Sequence, residues 1–232
     1  MHNSLSEVLN CDNIEFLKET PDNYFDLAVV DPPYGKSMDK QLKKRGETCS
    51  KNGFKKQIFD TDWDSSIPSD EYFEELFRVS KNQIIFGGNY FPLPPTPCWL
   101  VWDKGQRNFS FADAELAWTS FKSSVRVADI SRSMSNRDFY RIHPTQKPIA
   151  LYCWIYDRYA KKGDRILDTH LGSGSSRIAA YEKDLEFLGI EADNAIYLKQ
   201  EERFRKYLEQ VNLFETQNQK EILFQLGMED LE

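Results

Sequence analysis

Short apolar runs separated by polar and glycine-containing turns are the dominant pattern in this chain. Seven runs have the length of β-strands, at residues 5–10, 25–30, 83–86, 98–102, 115–121, 165–168 and 187–190. Apolar residues spaced three and four apart predict helices at residues 14–18, 70–80, 149–160, 175–181 and 194–211. In the last third a strand, a glycine turn, a helix and a strand succeed one another as a βαβ unit. The pattern therefore predicts an α/β fold.

Residues 35–58 show no periodic spacing of apolar residues, and we expect them to form a long mobile loop. Residues 122–142 are polar, basic and irregular. Both segments are basic in a chain whose net charge is −7: residues 36–56 carry eight basic and two acidic side chains, and residues 122–147 carry six and two. Such a concentration indicates a binding surface for a polyanion, although a solvated lysine-rich loop has the same composition. The candidate contacts are Lys36, Lys40, Lys43, Lys44, Arg45, Lys55, Lys56, Arg126, Arg132 and Arg137.

The composition is that of a globular protein, with 232 residues and 40% apolar content. We expect residues 1–232 to form a single domain. No apolar run approaches the length of a membrane span, and the first residues lack the features of a secretory signal. The four cysteines are too scattered for a disulfide framework or a structural zinc site. We therefore expect a cytoplasmic protein without a bound metal.

The tetrapeptide Asp31-Pro32-Pro33-Tyr34 directly follows the apolar run at 25–30. Open α/β folds bind ligands where their parallel strands end, so this stretch is expected at a ligand crevice. Proline fixes φ and lacks an N–H, which leaves neighbouring carbonyls free to accept hydrogen bonds. A carboxylate, a free carbonyl and an aromatic ring together fit a planar group bearing an NH₂, whereas the alternative is a simple strand-terminating turn.

A second candidate site runs from Asp168 to Gly174, with glycines at 172 and 174. Glycines at a strand-to-helix turn let the backbone approach a ligand closely. Glu191 ends the next strand, where a carboxylate accepts hydrogen bonds from ribose hydroxyls. A dinucleotide fingerprint would need a third glycine where Arg177 stands. An acid before Gly-x-Gly instead suits a cationic adenosyl ligand.

These stretches, together with His143-Pro144-Thr145-Gln146-Lys147-Pro148, resemble the S-adenosylmethionine-dependent DNA amino-methyltransferases, and their order resembles the β group of that family. The resemblance covers residues 5–211. It implies a Rossmann-like class I methyltransferase fold, circularly permuted, with a mostly parallel seven-stranded sheet and helices on both faces. It also implies S-adenosyl-L-methionine as cofactor, double-stranded DNA as partner, a restriction-modification context and a possible homodimer.

The resemblance further assigns roles to single residues. The catalytic site would comprise Asp31, Pro32, Pro33 and Tyr34. The cofactor would contact Asp12, Asp31, Thr145, Lys147, Asp168, Gly172, Ser173, Gly174, Ser175 and Glu191. In this assignment Asp12 meets the adenine amine, and Thr145 and Lys147 lie near the methionine carboxylate. Thr169 and His170 depart from the Pro and Phe that are common in the family.

The implied reaction is methyl transfer to the N6 amine of an adenine that has been flipped out of the duplex. Asp31 and the Pro32 carbonyl would accept from the two amine N–H bonds, and Tyr34 would stack on the base. Cytosine-N4 is the alternative target, and Asp at position 31 favours adenine. A second alternative is methylation of RNA or of a glutamine side chain. The motif of such enzymes usually begins with Asn, so Asp31 argues against this alternative. A hypothesis of a different kind is that the chain is not an enzyme but a catalytically silent subunit that binds DNA for a partner.

Overall fold

A computed structural model describes residues 5–35, 67–107, 112–131, 133–134, 142–143 and 145–225, with side chains up to residue 213. The strands are β1 Ser6–Leu9, β2 Leu27–Val30, β3 Gln83–Phe86, β4 Trp99–Asp103, β5 Ala114–Thr119, β6 Arg126–Asp129, β7 Arg165–Asp168 and β8 Glu186–Ile190. The helices are α1 Asn13–Glu19, α2 Asp70–Val79, α3 Ile149–Tyr159, α4 Ser175–Glu182 and α5 Asn194–Gln225, with a 3₁₀ turn at Gly88–Tyr90. The α/β fold predicted from the sequence is thus observed.

The eight strands form one sheet in the order β1-β8-β7-β2-β3-β5-β4-β6. Its pairs are parallel except β3–β5 and β4–β5, so the sheet is mostly parallel, as expected. The prediction of seven strands was wrong, because residues 126–129 pair in parallel with β4. This edge strand was hidden in a segment interpreted as an irregular loop, since three of its four side chains are exposed.

Helix ends follow local capping chemistry. Ser69 accepts a hydrogen bond from Tyr72 N at 3.3 Å and begins α2, as its sequence indicates. The start of α5 is capped by Asp193, whose Oδ1 accepts from Ala195 N at 2.7 Å, and not by Asn194. This last helix extends to Gln225, well beyond the predicted end at residue 211.

Two apolar layers cover the two faces of the sheet. One layer joins Val29 and Ile84 to α3, α4 and α5, and the other joins Ala28 and Ile85 to α1 and α2. Neighbouring residues along β2 and β3 contribute to opposite layers because successive strand side chains alternate between faces. The helices therefore lie on both faces of the sheet. None of the helices in the part of the chain described here is long and apolar enough to span a membrane.

The register of the central strands positions the two predicted sites. Strands β2 and β7 are parallel neighbours, with Leu27 opposite Ile166 and Ala28 opposite Leu167. Asp31 follows the last residue of β2, and Asp168 is the last residue of β7. Both carboxylates therefore lie at the carboxyl edge of the sheet, next to each other, which is where open α/β sheets bind ligands.

Candidate active site at the carboxyl edge of the sheet

Both oxygens of the Asp31 carboxylate are engaged by side chains. The Tyr34 hydroxyl donates to Oδ1 at 2.5 Å, and the Lys147 ammonium forms an ion pair with Oδ2. The Asp31 side chain keeps 21% of its surface exposed, whereas Lys147 keeps 4%. The acceptor predicted from the sequence is thus oriented by two donors and remains reachable from solvent.

The Tyr34 ring lies directly against the backbone of Gly87. A Cβ atom at position 87 would come within 2.2 Å of Tyr34 Cε1, and Gly87 has a φ of +66°. Tyr90, which is partly exposed, lies on the ring with centroids 5.3 Å apart and an angle of 33° between the planes. Burial and the nearby Asp31 carboxylate raise the pKa of Tyr34 well above its ordinary value. Its hydroxyl therefore stays protonated and acts as a donor.

A row of alternating charges continues from Asp31 across the sheet. Lys147 Nζ lies 3.4 Å from Glu115 Oε2, and Lys104 Nζ lies 2.5 Å from Glu115 Oε1. Burial alone lowers the pKa of Lys147, but the carboxylates of Asp31 and Glu115 outweigh it and raise that pKa. Burial raises the pKa of Glu115, but the two ammonium groups outweigh it and lower that pKa. Lys147 and Glu115 are therefore both charged near neutral pH.

The glycine turn after β7 is shaped by two left-handed residues. Gly172 has a φ of +55° and Gly174 a φ of +74°, a conformation that residues with a Cβ rarely adopt. Gly172 N donates to Glu191 Oε2 at 2.9 Å, and Asp193 N donates to Glu191 Oε1 at 2.9 Å. Glu191 at the end of β8 is therefore held beside the turn.

Asp168 is a buried carboxylate that accepts hydrogen bonds from a hydroxyl and a backbone amide. Ser176 Oγ donates to its Oδ2 at 2.5 Å, and His170 N donates to its Oδ1 at 3.1 Å. Burial raises the pKa of Asp168 to about 7, and the carboxylates of Asp31 and Glu191 add to the effect. The electrostatic environment of this edge thus favours the arrival of a positively charged group.

The two residues that depart from the family pattern form a hydrogen-bonded cluster next to Asp168. Asn13 Nδ2 donates to the Thr169 carbonyl at 3.4 Å and lies 3.1 Å from His170 Nε2. Because the amide nitrogen is only a donor, Nε2 accepts, and in the neutral ring Nδ1 carries the proton towards Thr169 Oγ1, 3.0 Å away. Burial lowers the pKa of His170 to about 4, which keeps the ring neutral. Tyr72 completes the cluster through a 2.6 Å hydrogen bond to Thr169 Oγ1.

The remaining residues expected at the cofactor have identifiable neighbours. Asp12 caps α1 by accepting from Ile14 N at 2.8 Å, and Thr145 Oγ1 lies 2.9 Å from His143 Nδ1. Ser173 and Ser175 are tied to α5, because the Arg203 guanidinium donates to the Ser173 carbonyl at 2.6 Å and to Ser175 Oγ at 3.1 Å. Lys147 contacts Asp31 and Glu115, and its predicted contact with the methionine carboxylate stays a prediction.

Of the candidate DNA contacts, Arg126 lies exposed on β6. Lys36, Lys40, Lys43, Lys44, Arg45, Lys55, Lys56, Arg132 and Arg137 lie outside the described residues. Sequence reasoning missed Glu115 as a residue of the site. The available signal was an acid between Ala114 and Leu116 in an otherwise apolar strand, which is unusual unless the charge has a buried partner.

The fold and the site define a class: a Rossmann-like sheet with a glycine turn after β7 and the segment Asp31-Pro32-Pro33-Tyr34 after the neighbouring strand β2. A family model described as DNA methylase, of the N6/N4 type, matches residues 94–202, which include Lys147, Asp168 and the glycine turn. Just under half of the chain thus resembles this N6/N4 DNA methylase family.

Individual proteins are also similar to this chain. The chain is 25% identical to type II methyltransferase M2.MboI of Moraxella bovis over a match that covers 79% of this chain and 81% of that protein. The crystal structure of the M1.HpyAVI–SAM complex superposes with a TM-score of 0.53 at 18% identity, covering 85% of this chain and 98% of that one. PvuII DNA methyltransferase, described as cytosine-N4-specific, gives a TM-score of 0.58 at 14% identity, covering 87% of each chain. The structural matches show a shared fold.

Proposed function

We propose that this DNA methyltransferase transfers a methyl group from S-adenosyl-L-methionine to the N6 amine of a flipped-out adenine in double-stranded DNA. The observation that carries the proposal is the adjacency of Asp31 and Asp168 at one sheet edge. The first is an oriented acceptor with exposed surface, and the second is a buried carboxylate beside a glycine turn. An acceptor for an amine and a pocket that favours a cation are the two requirements of this reaction.

The residues around the glycine turn fit S-adenosyl-L-methionine. This cofactor supplies an electrophilic methyl group on a positively charged sulfur. Asp168 lies in surroundings that favour a cation, and a cation nearby would lower its pKa from about 7. The backbone at Gly172 and Gly174 carries no Cβ to obstruct a ligand. Glu191 is held beside the turn, where it would accept from ribose hydroxyls. A relative of similar fold, M1.HpyAVI, has been crystallised as a SAM complex.

The Asp31-Pro32-Pro33-Tyr34 segment would activate the amine. The lone pair of an exocyclic amine is delocalised into the ring, so the nitrogen is a weak nucleophile. An Asp31 oxygen and the Pro32 carbonyl would accept from its two N–H bonds and favour the pyramidal geometry of the transition state. The Tyr34 ring would stack on the base, which must leave the duplex to reach this depth. The proton released on methylation leaves through the acceptor or through solvent.

Adenine is proposed over cytosine because the motif begins with Asp at position 31. Both amines make the same demands on the acceptors, and a protein of similar fold, PvuII DNA methyltransferase, is described as cytosine-N4-specific. The product of the reaction therefore has to be identified directly. Cytosine-N4 methylation is one possible outcome of that experiment.

DNA contact is proposed for the basic segments at 35–58 and 122–142, with Arg126 on the exposed edge strand. We further propose that the order of the elements is a circular permutation. Strand β1 lies beside β8 in parallel, with Ser6 opposite Phe187 and Leu9 opposite Ile190. The amino-terminal strand thus occupies the place that would follow β8 in an unpermuted chain, and chain ends at a surface tolerate such a change.

The test uses the full chain, DNA amplified without modified bases and S-adenosylmethionine labelled in its methyl group. DNA recovered from the reaction is digested to nucleosides, and the labelled product is identified by mass spectrometry. We expect N6-methyl-2′-deoxyadenosine with wild-type protein and none with Asp31→Ala. Detection of labelled N4-methyl-2′-deoxycytidine instead would show that the target base is cytosine and not adenine. Absence of label from DNA under conditions where the protein binds cofactor would overturn the proposal.

A further inference from the structure

We propose that Glu115 and Lys104 are positioning residues for methyl transfer, which hold the Lys147 ammonium against one oxygen of Asp31 and leave the other for the target amine. The inference rests on the proposed function. It concerns two residues that lie outside the Asp31-Pro32-Pro33-Tyr34 segment and outside the glycine turn after Asp168. It starts from the row of alternating charges Asp31, Lys147, Glu115 and Lys104, in which each group contacts the next.

The row is built into the strands of the sheet. Glu115 on β5 lies opposite Trp102 on β4, and Lys104 is two residues beyond Trp102, so the two side chains are diagonal cross-strand neighbours. Lys147 precedes α3 and passes over β3, where its Nζ lies 4.6 Å from the centre of the Phe86 ring. The ammonium group thus spans the distance between the Asp31 carboxylate after β2 and the Glu115 carboxylate on β5.

The charged side chains of this row are largely buried, unlike those of a surface ion pair. The Lys147 and Lys104 side chains are 4% and 8% exposed, and Glu115 is 27% exposed. Buried charge pairs add little net stability compared with apolar side chains of the same size, because desolvation offsets their attraction. Four charges held at the edge of a catalytic crevice are therefore better explained by what they do to the reacting group.

The geometry indicates what this effect is. A lysine with Asp31 as its sole partner could bridge both carboxylate oxygens and compete with any incoming N–H donor. Glu115 draws the ammonium away to one side, and the ammonium meets Oδ2 while Tyr34 meets Oδ1. Lys104 in turn neutralises Glu115 and limits how far it pulls the ammonium from Asp31. The opposing effects of Glu115 and Lys104 thus fix the position of the Lys147 ammonium.

The test is a double-mutant cycle with Glu115→Gln and Lys104→Met, two changes that remove charge and preserve size. Each single change unbalances the row: Glu115→Gln leaves two buried ammonium groups, and Lys104→Met leaves Glu115 to compete with Asp31 for Lys147. We expect each to lower kcat by roughly 10- to 100-fold, as displacement of a reacting group does. The double variant retains only the Asp31–Lys147 pair, and its loss should be far smaller than the product of the single losses.

The matched control is Lys81→Met, which removes an ammonium group paired with Asp26 at 2.5 Å, at the opposite end of β2. It should leave kcat unchanged. A structural role alone would lower the melting temperature of the variants and leave the kcat of the folded protein unchanged. Additive losses of kcat, or an unchanged kcat, would overturn the inference.

A second readout does not depend on activity. Reductive methylation of the folded protein, followed by peptide mass spectrometry, reports how accessible the Lys147 ammonium is. Lys147 should be protected in wild-type protein and in Lys81→Met, and labelled faster in both single variants. Equal protection in all proteins would overturn the inference even where the methylation assay succeeds. If labelling follows the expectation but wild-type protein methylates no DNA, the proposed function fails while the placement of Lys147 stands.

Discussion

The Tyr34 hydroxyl donates to Asp31 Oδ1 at 2.5 Å, and it therefore occupies one of the acceptor atoms that the proposed chemistry needs. The Lys147 ammonium holds the other oxygen. An amine that uses Oδ1 must first displace the tyrosine hydroxyl, so the ring and the hydroxyl of Tyr34 have opposite effects on the substrate. The ring provides a surface for the base, and the hydroxyl competes with the amine.

Tyr34→Phe and Tyr34→Ala separate these two effects. Removing only the hydroxyl should preserve most of the turnover and lower the KM for DNA, because the amine no longer competes for Oδ1. Removing the ring should raise the KM for DNA by about tenfold or more, as expected when one base-stacking interaction worth about 1–3 kcal/mol is removed. Steady-state kinetics with short duplexes measure both effects. Equal loss of activity in the two variants would contradict the division between ring and hydroxyl.

Asp31→Ala should lower kcat by about 100-fold or more, because the transition state then lacks a preorganised acceptor. Cofactor affinity, measured by calorimetry, should be largely preserved. Since this change also leaves Lys147 without one carboxylate partner, Asp31→Asn serves as the size-matched control. The amide retains an acceptor oxygen without the charge, so its turnover should fall less than that of the alanine variant. An equal loss of cofactor affinity and turnover would contradict the assignment of Asp31 to the amine.

Gly87→Ala and Gly163→Ala form a matched pair, because both glycines have a left-handed φ, +66° and +84°. Each alanine should add about 1–3 kcal/mol of backbone strain. At position 163 the new methyl group meets nothing within 4 Å, whereas at position 87 it would meet the Tyr34 ring at 2.2 Å. Thermal unfolding should show a loss of stability in both variants, and methylation assays should show a loss of activity only in Gly87→Ala. Full activity of Gly87→Ala would mean that the ring position is unimportant.

The sequence was sufficient to predict the sites because both follow apolar runs that end in glycine or proline, and parallel strands bring their ends to one edge. The sequence was less informative at β6, where Arg126 and Val127 are both exposed, so buried and exposed side chains do not alternate along the strand. Glu115 and Lys104 were missed as a pair because their contact depends on cross-strand register, which a linear pattern does not contain. The His170 cluster required the packing of α1 and α2 against the β7 turn, which also depends on tertiary structure.

Charge reversal at Lys43, Lys44 and Arg45 should weaken binding to duplex DNA and flatten its dependence on salt. For every phosphate that is no longer neutralised, the slope of log K against log salt should fall by about 0.9. Fluorescence anisotropy at several salt concentrations measures the slope. Reversal of Lys161 and Lys162, which precede β7 at the opposite edge of the sheet, is the control and should leave the slope unchanged. An identical slope in the two variants would assign the DNA path to other residues.

Asp168 should make both stability and cofactor binding depend on pH. Its folded-state pKa of about 7 lies above its ordinary value, so the folded protein binds this proton more tightly than the unfolded chain. The group's contribution is therefore most favourable below about pH 4 and decreases up to pH 7, by at most about 1.4 kcal/mol per pH unit. Asp168→Asn should accordingly become more stable than wild type as pH rises from 5 to 8, which thermal unfolding at several pH values measures.

The Asp168 carboxylate should make the affinity for cofactor rise with pH, whereas its contribution to stability falls with pH. A sulfonium beside Asp168 favours the ionised form, so binding S-adenosylmethionine below pH 7 requires release of a proton. Affinity measured by calorimetry should therefore rise as pH increases to about 7 and level off above it. In Asp168→Asn it should be weak at every pH, because the amide cannot acquire the charge that attracts the cation. Binding that is independent of pH in the wild-type protein would show that the cofactor's positive charge lies elsewhere.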